Sequence, residues 1–159
     1  MQKIFSIDPG YAKPSAVCVF NKGEINFISF NTSIDNINER FRIEPPSIIL
    51  IEGQYFFRNI KTYTQLFATR IIIATLGLLN GHTIYTIPPQ TWQKHIKTKP
   101  RMKSAELKIV SRLKASKELP QEIHRFSTPT GDDFADAYNM GMYFRSLPQP
   151  EKDKLLWVI

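Results

Sequence analysis

Ser47-Ile48-Ile49-Leu50-Ile51 is apolar at nearly every position and stops abruptly on Glu52-Gly53. A strand with one wet face alternates apolar and polar residues. An unbroken apolar run of this length therefore predicts a strand covered on both faces, in the interior of a sheet flanked by helices. Glu52 then sits at the tip of that strand, where it caps no helix and where desolvation penalises it unless a cation meets it. These two properties point to an α/β architecture and mark a first candidate functional side chain.

The surrounding pattern fits such a sheet. Residues 3–7 are rich in β-formers and are ended by Asp8-Pro9-Gly10, so Asp8 is expected at a strand tip as well. Residues 16–20 and 25–30 follow as strands joined by the turn Asn21-Lys22-Gly23, completing an antiparallel meander. Ile34, Ile37 and Phe41 recur three to four apart within residues 31–43 and predict a short helix lying on the sheet, closed by Pro45-Pro46. Residues 62–80 are apolar almost all round and stop at Gly81, which predicts a buried helix suited to a core or a dimer contact. A strand at 83–87 and a short helix opened by Pro88-Pro89 come next, then a basic loop at 97–103. A helix at about 104–115 carries Leu107, Val110 and Leu113 or Lys114 on one face, and residues 118–130 read as a linker. A last helix over 131–145 has Tyr138, Met142 and Phe144 to place on the sheet. Residues 1–147 are expected to form one domain, with 148–159 an apolar-ended tail that docks on it or on a second copy.

Three more carboxylates open that last helix, in Gly131-Asp132-Asp133-Phe134-Ala135-Asp136-Ala137. Acids favour helix N-termini for capping and dipole reasons, and alone the stretch says no more. Asp8 and Glu52 have no such explanation. Ligands bind beyond the carboxyl ends of strands in sheets of this kind, so Asp8 and Glu52 are expected to face one cleft that the last helix closes. Asp133 and Asp136 stand three apart and share a helical face; Asp132 is four from Asp136 and offers a shifted alternative to Asp133. Four converging carboxylates repel one another and resist ionisation, a conflict that divalent metal removes. Hard oxygen ligands suit Mg²⁺ or Mn²⁺, and two such ions about 4 Å apart can activate water and stabilise the leaving oxygen in phosphodiester cleavage.

The charge distribution points to the same class of partner. Residues 94–117 carry nine Lys or Arg and one acid, a net +8 against +7 for the whole chain, so the remainder is close to neutral. A local patch suits a phosphate backbone, although a solvated helix face would look alike. Within it Lys97, Lys99, Arg101, Lys103 and Lys108 are the candidate DNA contacts. Gln54-Tyr55-Phe56-Phe57-Arg58-Asn59 places aromatic rings in a loop, where they either pack beneath it or stack on nucleobases. No uninterrupted apolar run approaches a membrane span, the N-terminus lacks a signal-peptide core, and the lone cysteine, Cys18, excludes an internal disulfide. A cytoplasmic setting, in a bacterium or a phage-infected cell, is expected.

Ile7-Asp8-Pro9-Gly10, Ile51-Glu52-Gly53-Gln54, the long apolar helix after an aromatic loop, Lys103-Ser104-Ala105-Glu106 and Asp133-Phe134-Ala135-Asp136-Ala137 together resemble the ordered motifs of RuvC-type Holliday junction resolvases, in the ribonuclease H-like superfamily. The resemblance spans residues 3–145. It implies an α/β, ribonuclease H-like fold with a mixed five-stranded sheet flanked by helices, a homodimer, and paired nicking of four-way DNA junctions with two Mg²⁺ or Mn²⁺ ions. It makes Asp8, Glu52, Asp133 and Asp136 the catalytic, metal-binding acids, and Tyr55, Phe56, Phe57 and Arg58 a DNA-contacting loop, with Phe56 or Phe57 nearest the junction centre. The lysine beside the family's active site has no single equivalent here, with Lys103 and Lys108 the two candidates for its place. Lys13-Pro14-Ser15-Ala16 departs from the usual Thr-Gly after the first acid. Nucleases acting on flaps, forks or RNA are the neighbouring alternative, and a non-catalytic branched-DNA-binding module is another. Asp8-Pro9-Gly10 is also similar to the first phosphate loop of actin-like ATPases and sugar kinases, but those need a duplicated domain, so no nucleotide cofactor is expected.

Overall fold

The computed structural model describes residues 2–10, 12–31, 33–53 and 60–157. Five strands form one sheet: β1 (Ile4–Asp8), β2 (Ser15–Asn21), β3 (Glu24–Phe30), β4 (Ile48–Glu52) and β5 (Thr83–Ile87), in the order β3-β2-β1-β4-β5. The first three strands make the expected antiparallel meander, while β4 runs parallel to both β1 and β5. The unbroken apolar run is thus an interior strand: Ile49, Leu50 and Ile51 are all fully buried.

Alternation along the strands divides the core in two. Phe5, Ile7, Ile49, Ile51 and Ile84 face one layer, built from α1 (Ile34–Arg42) and α2 (Ile60–Leu79). Ile4, Leu50, Tyr85 and Ile87 face the other. That second layer holds α3 (Pro89–Gln93), α4 (Ser104–Glu118), α5 (Ile123–Phe126) and α6 (Gly131–Ser146). Both layers lie close on the sheet through a helical glycine. A Cβ on Gly77 of α2 would stand 2.6 Å from Ile84 Cδ1, and one on Gly141 of α6 would stand 2.2 Å from the Phe20 ring. The tail forms α7 (Gln149–Asp153) and then runs along the open edge of β5. There the Thr86 N–H donates to the Leu155 carbonyl (2.9 Å) and the Trp157 N–H to the Ile84 carbonyl (2.8 Å), which covers an otherwise unpaired strand edge.

Four expectations need correction. α2 is not buried all round: Thr69, Ile73, Ala74 and Gly77 are buried, whereas Ile60, Phe67 and Leu79 are exposed. A single helix laid on a sheet can bury only one stripe, however apolar its other sides. α2 also has the length and apolarity to cross a membrane, which a search for uninterrupted apolar runs does not register. Its buried stripe is the one that docks on β4 and β5, the ordinary behaviour of a core helix. Ile34 of α1 points outward and only Ile37 and Phe41 are buried. In α4 the buried residues are Ser111 and Ala115, with Leu113 exposed, because small residues let the helix approach α6. Finally, residues 118–130, expected as a linker, contain a 3-10 turn (Pro120–Glu122) and α5, anchored by the buried Phe126.

Candidate functional site

The register of β1 and β4 sets Ile7 opposite Ile51, so the next residues, Asp8 and Glu52, end adjacent parallel strands side by side. Asp8 continues the alternation of Ile4 and Ser6, and Glu52 that of Ile48 and Leu50. Both acids consequently leave the sheet on the side covered by α6. α6 begins there because Gly131 lets the chain double back beneath α5; a Cβ at that position would lie 2.2 Å from the Phe126 carbonyl oxygen. Its first two turns carry Asp132, Asp133 and Asp136.

Electrostatics shows which of these acids share a space. Burial, then the charges of Glu52, Asp136 and Asp133, push the Asp8 carboxyl well above its ordinary value, and Lys13 opposes them. Burial and the Asp136 charge likewise lift Glu52 to about 8, against a hydrogen bond from Trp92. Asp136 is lifted to about 7 by burial, opposed by a hydrogen bond from Ser111 and reinforced by Asp132 and Asp133. Asp8, Glu52, Asp133 and Asp136 are therefore one repelling cluster. Asp132 borders this cluster, and its charge reaches Asp136, but it has cationic partners of its own. Burial would raise it, yet hydrogen bonds from Lys108 and Arg112 (2.8 Å) outweigh that and hold it at about 2. An acid satisfied by two cations on α4 is a bracket between helices, which disfavours Asp132 as the substitute for Asp133.

The cluster is held by side chains that sequence reasoning did not single out. Trp92 of α3, 1 % exposed, donates from Nε1 to Glu52 Oε1 at 3.0 Å. Ser111 Oγ donates to Asp136 Oδ1 and accepts from Asn139 Nδ2 at 2.9 Å; Asn139 also reaches the Ser111 carbonyl at 3.0 Å. Lys13, on the loop after β1, pairs with Asp133, 120 positions further along the chain. No periodicity or spacing marks a lysine in a loop as the partner of an acid 120 positions away, or a serine in a helix as the partner of one 25 positions away.

The donor set, four carboxylates with more negative charge than the surrounding protein neutralises, fits a hard divalent cation in its chemistry. Among the described residues, no three His, Cys, Asp or Glu side chains converge closely enough to ligate one ion, with Asp133 turned to Lys13, Asp136 to Ser111 and Glu52 to Trp92. A cavity of about 400 Å³ near Ile4, Ile48, Tyr85, Phe144 and Arg145 lies at the other end of the parallel strands and contains no acid.

Of the candidate DNA contacts, Lys99, Arg101, Lys103 and Lys108 are exposed and Lys97 is half-buried. Lys97 and Lys99 line a shallow basin with Lys94, Thr98 and Pro100. Lys99 also pairs with Glu106 at 2.6 Å, and the Lys103 N–H donates to Glu106 Oε2 at 2.7 Å, which ties the basic loop to the first turn of α4. Lys108, rather than Lys103, is the lysine joined to the acidic stretch, through Asp132. Tyr55, Phe56, Phe57 and Arg58 lie outside the described residues.

No family model matches the chain, and neither does any curated protein. Solved structures do. Thermus thermophilus RuvC in complex with a Holliday junction substrate superposes over 91 % of this chain and 93 % of its own, with a TM-score of 0.60 at 14 % identity. The fold is that of RuvC. A second Thermus thermophilus RuvC structure covers 97 % of this chain and 98 % of that one (TM-score 0.56, 15 % identity). The yeast mitochondrial Holliday junction resolvase Ydc2 covers 88 % and 76 % (TM-score 0.53, 13 % identity). The mixed five-stranded sheet flanked by helices that the sequence motifs led us to expect is the one observed.

Proposed function

We propose that this chain is a metal-dependent endonuclease that resolves four-way DNA junctions by paired nicks on opposed strands. The observation that carries the reading is the repelling cluster of Asp8, Glu52, Asp133 and Asp136, gathered from three elements at the carboxyl ends of β1 and β4. Its support is the RuvC fold, whose solved examples include one bound to a Holliday junction substrate.

In this reading the two strand acids form the fixed half of the site and α6 supplies Asp133 and Asp136. Trp92 orients Glu52, and the Asn139–Ser111 pair orients Asp136, so both carboxylates are held in place before substrate arrives. Two Mg²⁺ or Mn²⁺ ions, when bound, would supply an activated water and stabilise the leaving oxygen. The exposed cations of the 97–103 loop and the start of α4 meet the phosphate backbone. Tyr55, Phe56, Phe57 and Arg58 contact bases on the strength of their sequence position alone. Two cuts on opposed strands call for two-fold symmetry, and the exposed Ile60, Phe67 and Leu79 of α2 offer an apolar surface to a second copy. With a single buried cysteine and no disulfide to form, a reducing cytoplasm of a bacterium or a phage-infected cell is the proposed setting.

A labelled synthetic four-way junction, incubated with Mg²⁺ or Mn²⁺ and in parallel with chelator, tests this. Metal-dependent nicks are expected from wild type and none from Glu52→Gln. Equal activity of the two proteins refutes the site. Linear duplex or RNA cut as readily as the junction refutes junction selectivity, and tight junction binding without cutting in either metal identifies a binding module instead.

A further inference from the structure

We propose that the Lys13 ammonium is a built-in counter-ion of the acid cluster, one that a divalent cation must displace from Asp133 before using that carboxylate. The inference rests on the metal-site reading above and assigns a role to a residue outside the four acids. Among the described residues, Lys13 is the only cation ion-paired with any of Asp8, Glu52, Asp133 or Asp136. Lys108 and Arg112, the nearest alternatives, are both committed to Asp132.

The loop presents the lysine deliberately. Gly10 donates its N–H to Ser15 Oγ at 3.1 Å, and a Cβ at Gly10 would fall 2.3 Å from the Lys13 carbonyl oxygen and 2.8 Å from that of Pro14. The chain therefore folds back tightly on the first acid's own turn, which fixes the Lys13 backbone at the rim of the cluster. Its side chain is 52 % exposed whereas that of Asp133 is 13 % exposed, so the stem crosses the rim and the charged head ends on a mostly buried carboxylate. A flexible four-carbon stem in this position can swing into solvent without refolding the loop.

The consequence is a competition. The ammonium lowers the charge that attracts a divalent ion, repels the ion directly, and engages Asp133 Oδ2. Binding of the ion and release of Lys13 are then linked, each disfavouring the other's opposite state by the same factor. With metal absent, the same pair relieves part of the repulsion among the four acids and tethers the β1–β2 loop to α6.

Mn²⁺ binding to the full chain, measured by calorimetry and by the spectroscopic signal of free Mn²⁺, tests the proposal without reference to cleavage. Lys13→Met and Lys13→Gln are expected to bind Mn²⁺ about two- to fivefold more tightly than wild type, the range for a partly exposed pair. In an Asp133→Asn background the same lysine substitution should change affinity by less than about twofold, since the clamp is already gone. Equal or weaker binding by both lysine variants overturns the inference while leaving the metal site intact. An undiminished gain in the Asp133→Asn background overturns the part assigned to Asp133. If neither wild type nor any variant binds Mn²⁺, the metal-site reading fails and takes this inference with it.

Discussion

Replacing Glu52 by Gln removes one charge from the repelling cluster while keeping an acceptor for Trp92, which makes it a clean probe of how much folding free energy the cluster costs. Burial and Asp136 lift the Glu52 carboxyl from 4.5 to about 8. A group whose folded pKa is raised binds more protons folded than unfolded, so its contribution is intact below the unfolded value and is lost as pH rises through the folded one. With each pKa unit worth about 1.4 kcal/mol, the cost at pH 7 is about 3 kcal/mol, and at pH 5 less than about 1 kcal/mol. For a domain of this size that corresponds to a melting temperature roughly 6–12 °C higher in the variant near neutral pH. Thermal unfolding in chelator at pH 5 and pH 8 measures it. The gap between Glu52→Gln and wild type should open as pH rises, and Mn²⁺ should close it by stabilising wild type selectively. A constant gap across pH, or a variant less stable than wild type at pH 8 without metal, refutes the argument that Glu52 sits in an uncompensated cluster.

Asp132 behaves with the opposite sign: its carboxyl is held at about 2 by Lys108 and Arg112, so its contribution is present above its unfolded pKa and is lost as pH falls toward 2. Asp132→Asn should cost about 2 kcal/mol at neutral pH and nothing at the acid end of a denaturant series. Removing Lys97, Lys99 and Arg101 together should reduce the salt slope of junction affinity by up to about 3, with the smaller share from Lys99 because Glu106 already holds it; equal slopes would remove the loop from the interface. Gly141→Ala should destabilise by about 1–3 kcal/mol in chemical denaturation, since the new methyl meets the Phe20 ring.

Much of the fold could be read from the chain because strand signals are local. The apolar run of β4, the Asp8-Pro9-Gly10 stop and the Asn21-Lys22-Gly23 turn each carry their own punctuation, and the strands end within a residue or two of where those signals lie. Helix faces were less legible. In α2 nearly every side is apolar, so hydrophobicity cannot choose among them; Gly77, which lets Ile84 and Ile49 approach, decides which side docks. In α4 the deepest residues, Ser111 and Ala115, are small rather than apolar, and of the apolar positions beside them Val110 packs against the core while Leu113 is exposed. The same asymmetry holds at the site. Acids at strand tips stand out because nothing else explains them, whereas Trp92, Ser111, Asn139 and Lys13 take their meaning from tertiary neighbours that lie far away in sequence.

The most direct test of the account is a four-way junction carrying a label on each strand in turn, cut with Mn²⁺ by wild type and by Asp8→Asn, Glu52→Gln, Asp133→Asn and Asp136→Asn, each first shown to be folded. The account predicts symmetric nicks on one opposed pair of strands by wild type, and loss of metal-dependent cutting in every one of the four variants. Wild-type rates from any of the four variants, or nicks that do not depend on added metal, would contradict a single four-acid centre.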